Sequence, residues 1–270
     1  MEGAAFTSNY REFAPGPSLP GFVVCFWSQV VDASNAGVVQ PVFPDGCVDI
    51  LWRDSDDPVL VGAMTTVHQA ALTPGLRLFG VRLAPGAAGA LLRVPLGEIT
   101  DREVPLADIL PRARRDRLAP LDPITYSLPT AELRAKVDRH LTALFPGPGP
   151  RDSIVSAAVR SLCGAPDTRI GDLAGGLGVS ERQLNRRFTA AVGYSPGRFR
   201  RIARLQRFLH LSAVLPPTSL AGLALDAGYN DQPHLTRECQ ALTGRSPGTL
   251  IMDPHSALAM SDLFNTNQTR

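Results

Sequence analysis

The sequence predicts an α+β protein. Its first half reads as a small β-barrel- or sandwich-like domain with flanking helices, and its second half as all-α. Three observations support this. Short apolar runs separated by Gly, Pro and Asp fill residues 20–83. Phe145-Pro146-Gly147-Pro148-Gly149-Pro150 can neither continue a helix nor sit inside a sheet. Beyond it, one helical unit occurs twice. The expected division is a β-rich domain at 1–145, a linker at 146–151, a helical domain at 152–252 and a tail at 253–270. So Pro- and Gly-rich a linker suggests loose coupling between the halves.

The strands come first. Phe22-Val23-Val24-Cys25-Phe26-Trp27 is dense in aromatic and β-branched residues. Val48-Asp49-Ile50-Leu51-Trp52, Val59-Leu60-Val61 and Leu76-Arg77-Leu78-Phe79-Gly80-Val81-Arg82-Leu83 follow, and short strands at this spacing favour a small barrel or sandwich. A helix is predicted from Pro85, with the proline in its first turn. Leu133, Val137, Leu141 and Leu144 recur at helical spacing over about 130–145. That helix either covers the β-domain or pairs with its twin in a homodimer.

Past the linker, a helix over about 152–163 buries Ile154, Val155, Ala158 and Leu162. The repeat follows. Leu173-Ala174-Gly175-Gly176-Leu177-Gly178 matches Leu223-Ala224-Leu225-Asp226-Ala227-Gly228 at an offset of 50. Leu184, Arg186, Gly193, Ser195, Pro196 and Gly197 match Leu235, Arg237, Gly244, Ser246, Pro247 and Gly248 at an offset of 51. In each copy a short helix (Ile170–Gly176, Ser219–Ala227) leads to a glycine able to take positive φ. A polar cap then starts a second helix: Ser180 in one copy, Asn230 or Asp231 in the other. That helix turns Leu184 and Phe188, or Leu235 and Cys239, inward. It turns Arg182, Gln183, Asn185 and Arg186, or Gln232, His234, Thr236 and Arg237, outward. Arginine can pair bidentately with guanine, and Asn and Gln with adenine. Each copy thus has the plan of a helix-turn-helix with a recognition helix. Ser195-Pro196 opens a helix over about 196–213, roughly 27 Å at ~1.5 Å per residue, long enough to set two recognition helices near one DNA turn apart. Arg198, Arg200, Arg201, Arg204 and Arg207 make it basic, with Arg204 a candidate phosphate contact.

Charge agrees with this reading. Residues 1–150 carry 13 basic and 16 acidic side chains, whereas 151–252 carry 13 and 7, so only the second half suits a polyanion. No apolar run approaches the ~18 residues of a membrane span, and the N-terminus lacks a secretory signal, so a cytoplasmic protein is expected. Cys25, Cys47, Cys163 and Cys239 are scattered, and the five histidines show no ligand spacing, so neither metal nor cofactor is expected.

The C-terminal hundred residues resemble the DNA-binding domain of the AraC/XylS regulators. The likeness rests on Gly178-Val179-Ser180-Glu181-Arg182-Gln183-Leu184-Asn185-Arg186-Arg187-Phe188 with Gly193-Tyr194-Ser195-Pro196. It continues in Ala227-Gly228-Tyr229, Gln232-Pro233-His234-Leu235-Thr236-Arg237 and Thr243-Gly244-Arg245-Ser246-Pro247. The resemblance implies a transcription factor whose two recognition helices enter successive major grooves of promoter DNA. Arg182, Asn185 and Arg186, then Gln232, His234 and Arg237, hold the matching positions. RNA polymerase is an implied partner. Cys239 stands where the family usually has an aromatic. Pro44-Asp45-Gly46-Cys47-Val48-Asp49-Ile50 and Gly80-Val81-Arg82-Leu83-Ala84-Pro85-Gly86 resemble an uncharacterised sensory domain found on some of these regulators.

Competing readings are simpler. Gly193-Tyr194-Ser195-Pro196-Gly197 fits a G-x-S-x-G hydrolase elbow, but the residue after the serine must donate its N–H there, and proline has none. Trp27, Phe43, Trp52 and His68 are candidate ligand-pocket residues, set against plain core packing. Cys25 and Cys47 could form a redox pair, set against burial as small hydrophobes. The expectation is a non-enzymatic regulator answering a small molecule or partner. The alternative is a DNA-repair or DNA-modifying protein that uses the same module for targeting.

Overall fold

A computed structural model describes residues 8–34, 37–54, 56–115, 130–147, 149–215 and 219–253. The tail expected at 253–270 lies outside them except for Asp253.

Among the described residues of the N-terminal half there are eight strands: β1 (Ser8–Phe13), β2 (Val23–Val31), β3 (Val38–Val42), β4 (Val48–Arg53), β5 (Val59–Val61), β6 (His68–Leu72), β7 (Arg77–Leu83) and β8 (Glu103–Pro105). Six build an antiparallel sheet in the order β1-β2-β7-β4-β5-β8, and β3 pairs with β6 as a separate ribbon. Side chains alternate between faces along a strand, so one register sorts the residues. Ile50 pairs with Val81 and Trp52 with Phe79, putting all four on one face. There they join Phe26 and Leu83 in the main core, with α4 (Thr130–Leu144) supplying Leu133, Val137, Leu141 and Leu144. The opposite face holds Cys25, Trp27, Leu51 and Leu78 and meets Leu72 of the ribbon.

Around the sheet lie α1 (Ala87–Leu92), a 3-10 turn (Leu96–Glu98), α2 (Leu106–Ile109) and α3 (Arg112–Arg115). Gly86 caps α1 with φ 77°, so Pro85 stands just before the helix and not in its first turn. The C-terminal half comprises seven described helices: α5 (Ser153–Gly164), α6 (Ile170–Gly176), α7 (Glu181–Val192), α8 (Pro196–Val214), α9 (Leu220–Asp226), α10 (Gln232–Thr243) and α11 (Pro247–Met252). Among the described residues no helix is long and apolar enough to cross a membrane.

Loose coupling is not what the structure shows. One continuous core runs from Phe26, Trp52 and Phe79 in the sheet through α1 into Val155, Leu162, Leu184, Phe188 and Phe199 of the helices. Gly89 of α1 approaches the backbone of Ala191 in α7, and the Thr100 hydroxyl donates to the Gly193 carbonyl at 3.1 Å. The breaker run ends α4, but apolar burial on either side of it binds the halves together.

Candidate nucleic-acid interface

Each repeat folds for a local reason. In the first, Gly178 takes φ 69° in the turn between α6 and α7. The Ser180 hydroxyl then accepts from the Gln183 N–H while the Gln183 side chain accepts from the Ser180 N–H, a reciprocal cap on α7. Leu184, Phe188 and Val192 are buried, with Phe188 edge-on to Phe199 of α8 at 5.5 Å between ring centroids. In the second, Gly228 turns at φ 86°, and Asp231, one of the two expected caps, accepts from the His234 N–H at 2.7 Å. Leu235 and Cys239 are fully buried.

The outward faces are free for a partner. Arg182, Asn185 and Arg186 of α7, and Gln232 and Arg237 of α10, are exposed. Gln183 is exposed with its carbonyl oxygen engaged in the cap and its amide N–H2 open. Thr236 is exposed and its hydroxyl donates back to the Gln232 carbonyl at 3.0 Å. His234 is half-buried, its ring edge-on to Tyr229 and its Nδ1 accepting from the Asn230 N–H.

The basic stripe on α8 has a different placement from the one expected. Arg204 is 8% exposed, donates from Nε to the Pro166 carbonyl at 2.9 Å and lies over the Tyr229 ring. Arg204 is thus enclosed, where the sequence suggested an open phosphate contact. Its neighbours act similarly. Arg200 donates to the Thr168 carbonyl, and Arg207 to the carbonyls of Asp226 and Gly164. Arg201 pairs with Glu238 of α10 at 2.8 Å. Carbonyls at helix ends lack intrahelical donors, and arginine supplies them. The stripe therefore ties α5, α9 and α10 to the connecting helix.

Between the six-stranded sheet and the β3–β6 ribbon lies a cavity of about 220 Å³. Trp27, Phe43 and His68 line it. Trp52 does not: it is fully buried on the opposite face, against Phe79 and His140. Strand parity is the reason, since β4 pairs Leu51 with Gly80 and Trp52 with Phe79. Gly80 makes room for Trp27, because a Cβ there would overlap the indole. Sequence reasoning missed the polar wall of the cavity, which includes Tyr10, Asp45, Asp49 and Arg82. The available signal was the charged Asp49 and Arg82 inside otherwise apolar strands.

The cavity walls also touch the second repeat. Phe43 is 3% exposed and belongs to the core of Leu205, Phe208, Leu235 and Cys239. The Gln206 side chain donates to the Pro44 carbonyl at 2.8 Å, and the Val67 N–H to the Leu242 carbonyl at 2.8 Å. Gly46, at φ 82°, is packed under Phe199. All four cysteines are buried and free of disulfides, and burial pushes the Cys163 and Cys239 thiols up to about 12.

Two exposed recognition helices on a shared scaffold define a helix-turn-helix, DNA-binding protein. Residues 173–252 match the model of a helix-turn-helix domain, and this part of the chain is an AraC-type domain of transcription regulators. Residues 11–105 match a domain of unknown function, DUF6597. No curated protein matches the chain in sequence. Solved structures similar to it include ToxT from Vibrio cholerae, 10% identical, covering 92% of this chain and 98% of that one at a TM-score of 0.45. Unsaturated fatty acid-bound ToxT from Vibrio cholerae strain SCE256 is 11% identical, covering 80% and 94% at 0.40.

Proposed function

We propose that this chain regulates transcription by reading two successive major-groove half-sites in promoter DNA, under control of a small molecule at its β-domain. The observation that carries the reading is the pair of equivalent, exposed polar faces on α7 and α10, held by one long helix. Arg182, Asn185 and Arg186 read one half-site; Gln232 and Arg237, with His234 and Thr236 beside them, read the other. RNA polymerase at the same promoter is the target of the effect, in the cytoplasm. The cavity is the effector site, and Phe43 in its lining packs directly into the core of the second reading unit.

Footprinting of the full chain on the intergenic DNA beside its own gene tests this. Protection is expected over two segments about 10 base pairs apart centre to centre. Arg186→Ala should relax one segment and Arg237→Ala the other. Relaxation of the same base pairs by both variants would refute the bipartite reading.

A further inference from the structure

The lining of the β-domain cavity carries three carboxylates, Asp45, Asp49 and Glu103, and two guanidiniums, Arg53 and Arg82. Arg53 at its edge is paired with Glu103 at 2.7 Å. That leaves Arg82 facing three carboxylates: Glu12 at 3.4 Å, Asp45 at 3.7 Å and Asp49 at 3.4 Å. Glu12 also accepts from the Tyr10 hydroxyl at 2.5 Å. These are separations of loose ion pairs. Asp49 Oδ1, Arg82 Nε and Trp27 Nε1 are buried without a well-formed hydrogen bond. Burial drives the Asp49 carboxyl up to about 6 against the pull of Arg82. Arg82 and Trp27 stand beside it as donors, but at 3.4 Å from Arg82 the pairing offsets only part of the cost of burying an ionised carboxylate.

Gln29, Gln40 and His68 add polar groups, and much of the remaining wall is aromatic and aliphatic. Tyr10 and Trp27 pack with centroids 5.9 Å apart, beside Phe43, Leu51, Leu72 and Leu78. Aromatic faces attract cations through their quadrupole, and more strongly where water is excluded. About 220 Å³ is room for roughly seven waters at ~30 Å³ each, the scale of a small molecule.

We infer that this cavity binds a small organic cation, an amine on an apolar or aromatic body, with Asp49 as counter-charge and the Tyr10–Trp27 pair as the wall its body packs on. The ammonium pairs with the Asp49 carboxylate where it lines the cavity, and the body covers Leu51 and Leu78. Arg82 keeps its pairing with Asp45 and Glu12, so a ligand carboxylate entering here meets three like charges around one cation. The inference rests on the reading of this domain as ligand-responsive.

The test is calorimetric titration of the full chain with benzylamine, benzyl alcohol and benzoate, which share a body and differ in charge. Benzylamine should bind at least ~10-fold tighter than the other two, equivalent to about 1.4 kcal/mol. Asp49→Asn should remove that preference while benzyl alcohol binding persists. The wild-type preference stands as a test even if the variant fails to fold. Tighter binding of benzoate, equal binding of all three, or no binding of any at ~1 mM would overturn the assignment. Footprinting of the same preparation separates the two readings. Protected DNA with no preference for the amine sinks the ligand class alone; preference for the amine with no protected DNA sinks the regulator reading alone.

Discussion

The two helix-turn-helix units share a plan and differ in how each is completed. The first has a phenylalanine, Phe188, at the centre of its core, edge-on to Phe199, and continues into the main core of the β-domain. The second has Cys239 at the equivalent position, a much smaller side chain. Its core takes in Phe43 from the β-domain instead. Duplicated units can thus diverge in where their apolar volume comes from while keeping the same exposed face. Both units pack on the β-domain, but the first carries its own central phenylalanine, whereas the second has a cysteine there and takes in Phe43 from the β-domain.

The largest test of that contrast is Phe43→Ala. Removing a buried phenylalanine costs about 3–5 kcal/mol. The loss should appear in thermal unfolding and weaken protection of the half-site read by α10 more than the one read by α7. A melting point no lower than that of Val39→Ala, a change at an exposed strand position, would break the comparison. Next come the arginines proposed to read bases: Arg186→Ala and Arg237→Ala should each cost roughly 1–3 kcal/mol of specific binding, at separate half-sites, in titrations with base-substituted operators.

The caps sharpen the comparison further. Ser180→Ala removes one side of a reciprocal cap and Asp231→Ala a single one, each costing about 1 kcal/mol by denaturant titration. The smallest effect is a pH dependence on the first unit's side. Asp152 caps α5 and is gripped by Arg187 of α7 at 2.7 Å and 3.0 Å. Burial raises its carboxyl, but hydrogen bonds from Arg187, Val155 and Ile154 outweigh this and hold it below the usual value of 3.8. A carboxyl depressed in the fold contributes stability above its unfolded pKa and loses it as pH falls through the folded one. The melting difference between wild type and Asp152→Asn should therefore be constant from about pH 7 to 5 and shrink below about pH 4. A difference that grows toward acid would reverse the assignment.

The helical half was largely legible because its punctuation is local. Ser180, Ser195-Pro196, Ser219 and Ser246-Pro247 cap helices, and Gly178, Gly193, Gly228 and Gly244 take positive φ. The β-domain was legible only in its apolar strands. The edge strand β1 and the ribbon of β3 and β6 lack a strong apolar run, and their pairing is non-local. Trp27 and Trp52 looked alike because both sit in apolar strands; only the register against β7 sends them to opposite faces. Arg204 looked like the other arginines of its stripe because a basic stripe carries no sign of which carbonyls it will meet.

The hydrogen bonds from Gln206 of α8 to Pro44 and from Val67 to Leu242 of α10 tie the ends of the β3–β6 ribbon, one wall of the cavity, to the helices. Linkage is reciprocal: whatever free energy the occupant of the cavity adds to the docking of one half-site, that half-site adds to the retention of the occupant. Operator spacing then becomes an effector in its own right. A promoter whose half-sites sit a base pair too close or too far would strain the same wall and hold the small molecule with altered affinity. The concentration at which a gene answers would be set partly by the DNA beside it, with no change in the protein.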